Sequence, residues 1–331
     1  MPKQYGPWKI ETSLREGGQA HTFIVRHSSS NQIAVLKRIK NLKRFPRLAR
    51  EVAALQKLSH PQIVTLLDVA LKAEKPYYVM EYCKRGSLQD HPSLYIGKPV
   101  EAINAFEGVC AAVSSAHVAE VIHRDIKPAN ILVREDGTLV VADFGLCYMD
   151  DGDRLTNAEE AVGPRLFMAP EQENGRCDVV LPTVDAYSLG KLLYWLLRGD
   201  GRVFSREVHR EDDWDLAKVL KRIEYEHVNR LLDRMIAFKP SDRYPSVSMA
   251  QEDAARIRAL IEGGYNVVSG KHPQVCIYCG IGKYRQWQDT PTNFGLNAVG
   301  SNQWKILCCN YCGNVQLFRL ERLETKELWD K

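Results

Sequence analysis

The run His123-Arg124-Asp125-Ile126-Lys127-Pro128-Ala129-Asn130, followed by a short β-type hairpin and then Asp143-Phe144-Gly145, constrains this chain more than any other feature. It gathers three oxygen-bearing side chains, Asp125, Asn130 and Asp143, and one cation, Lys127, around a single small turn. That inventory suits phosphoryl transfer. Such chemistry needs metal ions to neutralise phosphate charge, a cation on the phosphates, and a carboxylate to orient the attacking hydroxyl. Oxygen ligands are also what Mg²⁺ prefers.

Around this run the chain changes character. Its first stretch alternates short β-type segments with Gly- or Ser-rich turns. Trp8 to Leu14, Thr22 to Arg26, Ile33 to Ile39, Ile63 to Ala70 and Tyr77 to Glu81 read as strands. Arg47 to Leu58 has helical spacing, with Val52, Leu55 and Leu58 on one face. From Pro99 onward the pattern is mainly helical, with long apolar helices over Val100 to Ala119 and Val184 to Leu197. A last helix should open on a capping box, Ser248 with Gln251, and stop at Gly263-Gly264. A polar linker, residues 263–275, separates this region from a cysteine-rich tail. At 331 residues the chain is comfortable for two such domains.

In these residues the chain resembles the eukaryotic-like (Hanks-type) Ser/Thr protein kinases, over roughly residues 8–262. The resemblance implies an α+β, bilobal fold with a β-rich N-lobe and a helical C-lobe. It also implies roles. Asp125 would position the substrate hydroxyl, and Asn130 and Asp143 would hold Mg²⁺. Lys127, in the Ser/Thr-kinase position, would contact the transferred phosphate. Ala34-Val35-Leu36-Lys37 resembles the VAIK strand, so Lys37 would hold the α- and β-phosphates of ATP. Glu51, at the head of EVAALQKLSHPQIV, would pair with Lys37. Tyr78-Val79-Met80-Glu81-Tyr82-Cys83 resembles the hinge strand. There Met80 would be the gatekeeper, backbone groups of Glu81 and Cys83 would meet adenine, and Ala34 and Leu132 would sandwich the base. Ala169-Pro170-Glu171, Asp185 and Arg243 match structural positions of the family, with Arg243 pairing with Glu171.

Two segments depart from the family pattern. The glycine-rich loop reads Arg15-Glu16-Gly17-Gly18-Gln19-Ala20-His21-Thr22, with only Gly17 in register and Gly18 beside it. Glycine permits close backbone approach to phosphate, and Arg15 and Ala20 restrict it. Gly17 and Gly18 are still expected to cover the nucleotide. The second departure is Pro164, where Ser/Thr kinases usually carry a threonine that bridges the catalytic Asp and Lys; proline has neither hydroxyl nor N–H. The acidic segment Leu146 to Val162 offers Thr156 as an autophosphorylation candidate. Glu159 or Glu160 would stand in for a phosphate against Arg124, or else simply form a solvated acidic loop.

The tail carries Cys276-Ile277-Tyr278-Cys279-Gly280 and Cys309-Asn310-Tyr311-Cys312-Gly313, four of the chain's nine cysteines. Two CxxCG knuckles suit a tetrahedral Zn²⁺ bound by four thiolates, with glycines for the tight turns. The pattern resembles a zinc ribbon, and the domain is taken as 276–331. With no open coordination position, it implies docking or recruitment, not catalysis. Its aromatic and basic residues (Tyr284, Trp287, Phe294, Trp304, Phe318; Lys283, Arg285, Lys305) would make a nucleic-acid surface or fill a very small core; the core reading is preferred.

The expectation is therefore a Ser/Thr protein kinase using ATP, Mg²⁺ and Zn²⁺ and acting on protein substrates. The alternative is a pseudokinase scaffold, and a small-molecule kinase is a third option that Lys127, Glu171 and Arg243 argue against. The net charge of +4 gives no global nucleic-acid or membrane signal. Without an apolar leader or a run near the ~20 residues that span a bilayer, the sequence reads as cytoplasmic.

Overall fold

The computed structural model describes residues 4–14, 20–144, 166–173, 181–222 and 225–262 with their side chains, apart from Arg44 and Glu173, and residues 284–286, 304–309 and 315–319 as backbone strands. The first region is a six-stranded antiparallel sheet ordered β1-β2-β3-β4-β6-β5. Its strands are β1 (Gln4–Tyr5), β2 (Trp8–Ser13), β3 (Ala20–His27), β4 (Ile33–Ile39), β5 (Leu66–Ala70) and β6 (Tyr77–Glu81). β5 is shorter than its apolar run suggests. Ile63 instead makes an isolated parallel bridge to Val141, which pulls that segment off the sheet edge.

The sheet buries both faces because side chains alternate along each strand. Ala34, Leu36, Val79 and Tyr77 pack on one face with Tyr5, Trp8, Phe23 and Val25. Val35, Tyr78 and Met80 face the other way, into the main core. Helix α1 (Phe45–Lys57) covers that inner face with Leu48, Glu51, Val52 and Leu55. This i, i+3, i+4, i+7 stripe is apolar except for Glu51, a carboxylate that its burial obliges to find donors.

The helical lobe is built on α2 (Pro99–Val118) and, beyond the short α3 (Pro170–Glu173), on α4 (Thr183–Arg198), whose residues are all buried. The short α5 (Leu216–Val219) and α6 (Tyr225–Met235) precede α7 (Val247–Glu262), which packs along α2. The cap of α7 is Ser246, whose Oγ accepts the Met249 N–H at 3.4 Å. Ser248 lies inside the first turn, so the Ser248–Gln251 capping box is corrected by two residues. No helix among the described residues is long and apolar enough to cross a membrane.

Between the lobes lies a two-stranded hairpin, β7 (Ile131–Val133) with β8 (Leu139–Val141), in the register Ile131↔Val141. Because the strands are antiparallel, Asn130 just before β7 and Asp143 just after β8 emerge at the same end. The bond from Ala142 N to Asn130 O, 2.9 Å, ties the two exits together. The tail contains a separate antiparallel sheet, β11-β10-β9, made of β9 (Tyr284–Gln286), β10 (Trp304–Cys309) and β11 (Val315–Arg319).

Candidate active site

Asp185, in the first turn of α4 and fully buried, organises the loop that carries Asp125. Its carboxylate accepts the backbone N–H of His123 at 2.9 Å and of Arg124 at 2.7 Å, and the Nε2–H of His117 at 2.7 Å. Three donors satisfy a charge that burial would otherwise make very costly. They also hold Arg124 at φ 69°, a left-handed conformation unfavourable for a non-glycine residue. His123 completes the loop. Its Nε2–H donates to Ala142 O at 2.9 Å while Nδ1 accepts the Asp125 N–H at 3.2 Å, which fixes one tautomer. Its ring lies 4.7 Å from that of Phe144, so the two loops share one packed contact.

The acceptor and cation of the loop meet directly. Lys127 Nζ donates to both Asp125 carboxylate oxygens, at 2.9 and 2.8 Å. Asn130 Nδ2 donates to Asp125 O at 2.7 Å and to Asp125 Oδ2 at 2.8 Å. With its NH₂ so engaged, the Asn130 amide turns its oxygen away from Asp125, as a cation ligand requires.

On the opposite wall, Lys37 of β4 reaches two carboxylates: Glu51 Oε1 at 2.8 Å and Asp143 Oδ1 at 2.6 Å. Burial works against the Lys37 charge, but Asp143 and then Glu51 outweigh it and raise the ammonium well above its usual pKa. Burial likewise opposes Asp143, yet Lys37 wins and lowers that carboxyl. Glu51 is the carboxylate that burial raises, since one ammonium is shared by two anions. Tyr78 adds a further donor, its O–H lying 2.6 Å from Glu51 Oε1. Asp143, at φ 61°, is the second strained residue of the site.

The donor chemistry fits Mg²⁺. Asn130 and Asp143 offer oxygens at one end of the hairpin, and no cluster of three or more His, Cys, Asp or Glu that could hold a metal occurs among the described residues. A metal here would draw its remaining ligands from phosphate and water, as Mg²⁺ commonly does.

One expected residue is misplaced. Ala34 lies on the face of β4 opposite Lys37, in the outer cluster with Tyr5, Trp8 and Phe23. The residue that shares the Lys37 face is Val35, in register with Met80. Val35 belongs to the inner core with Met80 and Cys83, against which Leu132 packs. The two-residue period of the strand, counted back from Lys37, was the signal for this. At the hinge, Glu81 is held by Arg134, with Nε to Oε2 at 3.0 Å and an Nη to Oε1 at 2.8 Å, and by the Thr65 N–H at 2.9 Å. The Cys83 carbonyl accepts from Gly86 N at 3.0 Å, and burial raises the Cys83 thiol to about 12.

The structural partners of the family pattern also meet. Arg243 is fully buried and forks onto Glu171 at 2.6 and 2.8 Å. Gln172, not singled out from the sequence, accepts from Ala169 N at 3.1 Å and donates to Arg124 O at 3.0 Å. Gly17, Gly18, Thr156, Glu159, Glu160, Pro164, Cys276, Cys279 and Cys312 lie outside the described residues, and Cys309 is described only as backbone ending β10.

Residues 8–254 match the protein kinase domain family. The chain belongs to that family. The relatives it matches are named as Ser/Thr-protein kinases. A probable Ser/Thr-protein kinase of Clostridium perfringens is 29% identical over 263 residues, covering 76% of this chain and 38% of the relative. A CBL-interacting Ser/Thr-protein kinase of Arabidopsis thaliana is 31% identical over 252 residues, 72% of this chain and 51% of its own length. The Ser/Thr-protein kinase PknB of Mycolicibacterium smegmatis is 30% identical over 271 residues, 76% of this chain and 43% of its own length. The chain thus spans between about a third and about half the length of the curated relatives it matches.

Proposed function

We propose that this chain transfers the γ-phosphate of ATP to Ser or Thr hydroxyls of protein substrates. The observation that carries the reading is the pair of walls around the hairpin end. Lys37, Glu51 and Asp143 form one connected cluster, and Asp125, Lys127 and Asn130 form the other. Asp125 accepts the hydrogen bond of the attacking hydroxyl and orients it. Lys127 sits on that carboxylate, where it can follow charge onto the transferred phosphate. Lys37 holds the non-transferred phosphates, aimed by Glu51. Bound Mg²⁺ would neutralise phosphate charge, held by Asn130 and Asp143. Val35, Met80, Cys83 and Leu132 supply apolar walls for adenine, and backbone groups of Glu81 and Cys83 meet the base.

The test is transfer of labelled γ-phosphate from Mg·ATP to a generic basic protein, with phosphoamino-acid analysis, beside Asp125→Asn and Asp143→Ala. Label on Ser or Thr that disappears in both variants supports the reading. A folded wild type that binds Mg·ATP but labels nothing above the variants favours a scaffold that signals without transfer.

We further propose that the four cysteines of the two CxxCG knuckles hold a structural Zn²⁺. Supporting this, Cys309 ends β10 and is in register with Tyr284, the first residue of β9. Antiparallel pairing therefore brings the entry to β9, just after Cys279, to the same sheet end as the β10–β11 connection that carries Cys312. A tail of this kind would recruit or dock a protein partner, and thiolate ligation suits a reducing cytoplasm. About one zinc per chain by elemental analysis, lost in Cys276→Ser, supports the site; zinc-free, folded protein would remove it.

A further inference from the structure

The Lys37–Glu51 pair has a third member on β6, the strand beside β4. Tyr78 is fully buried on β6, directly across from Lys37 in the β4–β6 register. Its hydroxyl donates to the same Glu51 oxygen that Lys37 contacts, at 2.6 Å against 2.8 Å for Lys37. Its ring lies 5.8 Å below the Lys37 ammonium. Glu51 is only 2% exposed, so water cannot replace a donor it loses.

The two donors differ in freedom. Lys37 is a flexible chain already divided between Glu51 and Asp143. When phosphates draw its ammonium, the Lys37–Glu51 bond weakens. Tyr78 is a rigid phenol anchored in a strand paired on both sides, by β4 and β5, and it gains nothing by leaving. We propose that Tyr78 is a positioning residue of the nucleotide site: it anchors Glu51, and with it α1, to the sheet independently of Lys37. α1 then stays in place while Lys37 turns to phosphate. The inference rests on the nucleotide-site reading above.

The role separates by ligand. Tyr78 acts through Glu51 and Lys37, which serve phosphate, whereas adenine meets other residues. The experiment measures binding of Mg·ADP and of adenosine to the full chain, wild type and Tyr78→Phe, by calorimetry. Tyr78→Phe should bind Mg·ADP about tenfold more weakly, the fold-change that loss of one hydrogen bond to a charged group produces. Its adenosine affinity should stay within about twofold of wild type, which also shows that the variant is folded. In transfer assays the KM for ATP should rise more than the KM for the protein acceptor. Equal loss for both ligands would mark Tyr78 as packing only and overturn the proposal. Unchanged Mg·ADP binding with intact adenosine binding would overturn it too. A wild type that binds neither ligand would remove the nucleotide site itself, and the Tyr78 role with it.

Discussion

Lys191 gives the sharpest test of the physical account. It sits mid-way along α4, among Leu189, Leu192 and Leu193, with no exposed surface. Its ammonium donates to Phe204 O at 3.0 Å and to Arg206 O, and rides 3.7 Å from the centroid of the Phe204 ring. Burial outweighs these contacts and the opposing Glu207 carboxylate; with Arg206 adding repulsion, the pKa falls from 10.5 to about 7. The unfolded chain, near 10.5, therefore binds more protons than the native state between about pH 7 and 10.5. Stability must rise with pH across that window, because dΔG/dpH follows the proton excess of the unfolded state. The penalty is full below pH 7 and vanishes above 10.5. Each pH unit inside the window is worth about 1.4 kcal/mol. Between pH 7.5 and 9.5 wild type should thus gain about 2–3 kcal/mol relative to Lys191→Met, whose side chain does not titrate. Urea unfolding of both proteins at the two pH values, followed by tryptophan fluorescence, measures the difference, and other titrating groups cancel in it. Parallel pH dependence in the two proteins would show that Lys191 stays charged in the fold, and that carbonyls and ring do outweigh burial.

Two further predictions follow from single contacts. Glu171→Ala leaves the buried Arg243 guanidinium without its counter-charge, although Ala237 O, Phe238 O and Thr183 O remain. Breaking a buried pair by removing one partner should cost about 3 kcal/mol and lower the thermal midpoint by about 6 °C in calorimetry. Gln172→Leu removes the bond to Arg124 O, next to Asp125; kcat should fall about tenfold with Mg·ADP affinity unchanged, and a matching loss of nucleotide affinity would place the effect elsewhere.

The catalytic loop was legible because its chemistry demands particular residues at short spacing. Asp125, Lys127, Asn130 and Asp143 lie either side of one hairpin, and a β-turn-β pattern suffices to bring them to one end. The Lys37–Glu51 contact is long-range, yet a lysine ending the apolar run Ala34-Val35-Leu36 and a glutamate in the apolar stripe of α1 each signal a missing partner. What was not legible depended on which way side chains face. Ala34 and Val35 are both small and apolar, and only the strand period relative to Lys37 separates them. Tyr78 reads as one more strand aromatic until its hydroxyl is seen to meet Glu51. Ser246 and Ser248 both suit a cap, and the start of α7 decides between them. Lys191 did have a signal, a lone cation inside DAYSLGKLLYWLL, but sequence alone does not say that Phe204 O and Arg206 O turn to meet it.

Two buried carboxylates fix this site, and the nature of their donors predicts which part of it opens first. Asp185 is bound by two backbone N–H groups and by His117, so the His123–Arg124 turn cannot shift without unfolding around a buried charge. Glu51 is bound through side chains, of which Lys37 can turn to another partner without a change of backbone while Tyr78 stays. The catalytic loop should therefore be the rigid element, while α1, held to the sheet by Tyr78, keeps its position but opens locally more readily. Amide hydrogen exchange measures this directly. The His123 and Arg124 amides should open only with global unfolding, whereas amides of α1 should exchange through local opening. In Asp185→Asn, a carboxylate oxygen becomes an NH₂ facing existing donors, and exchange at those two amides should accelerate by at least about tenfold. If they stay fully protected in that variant, the loop's rigidity comes from packing, the His123–Phe144 contact above all, and not from the buried charge.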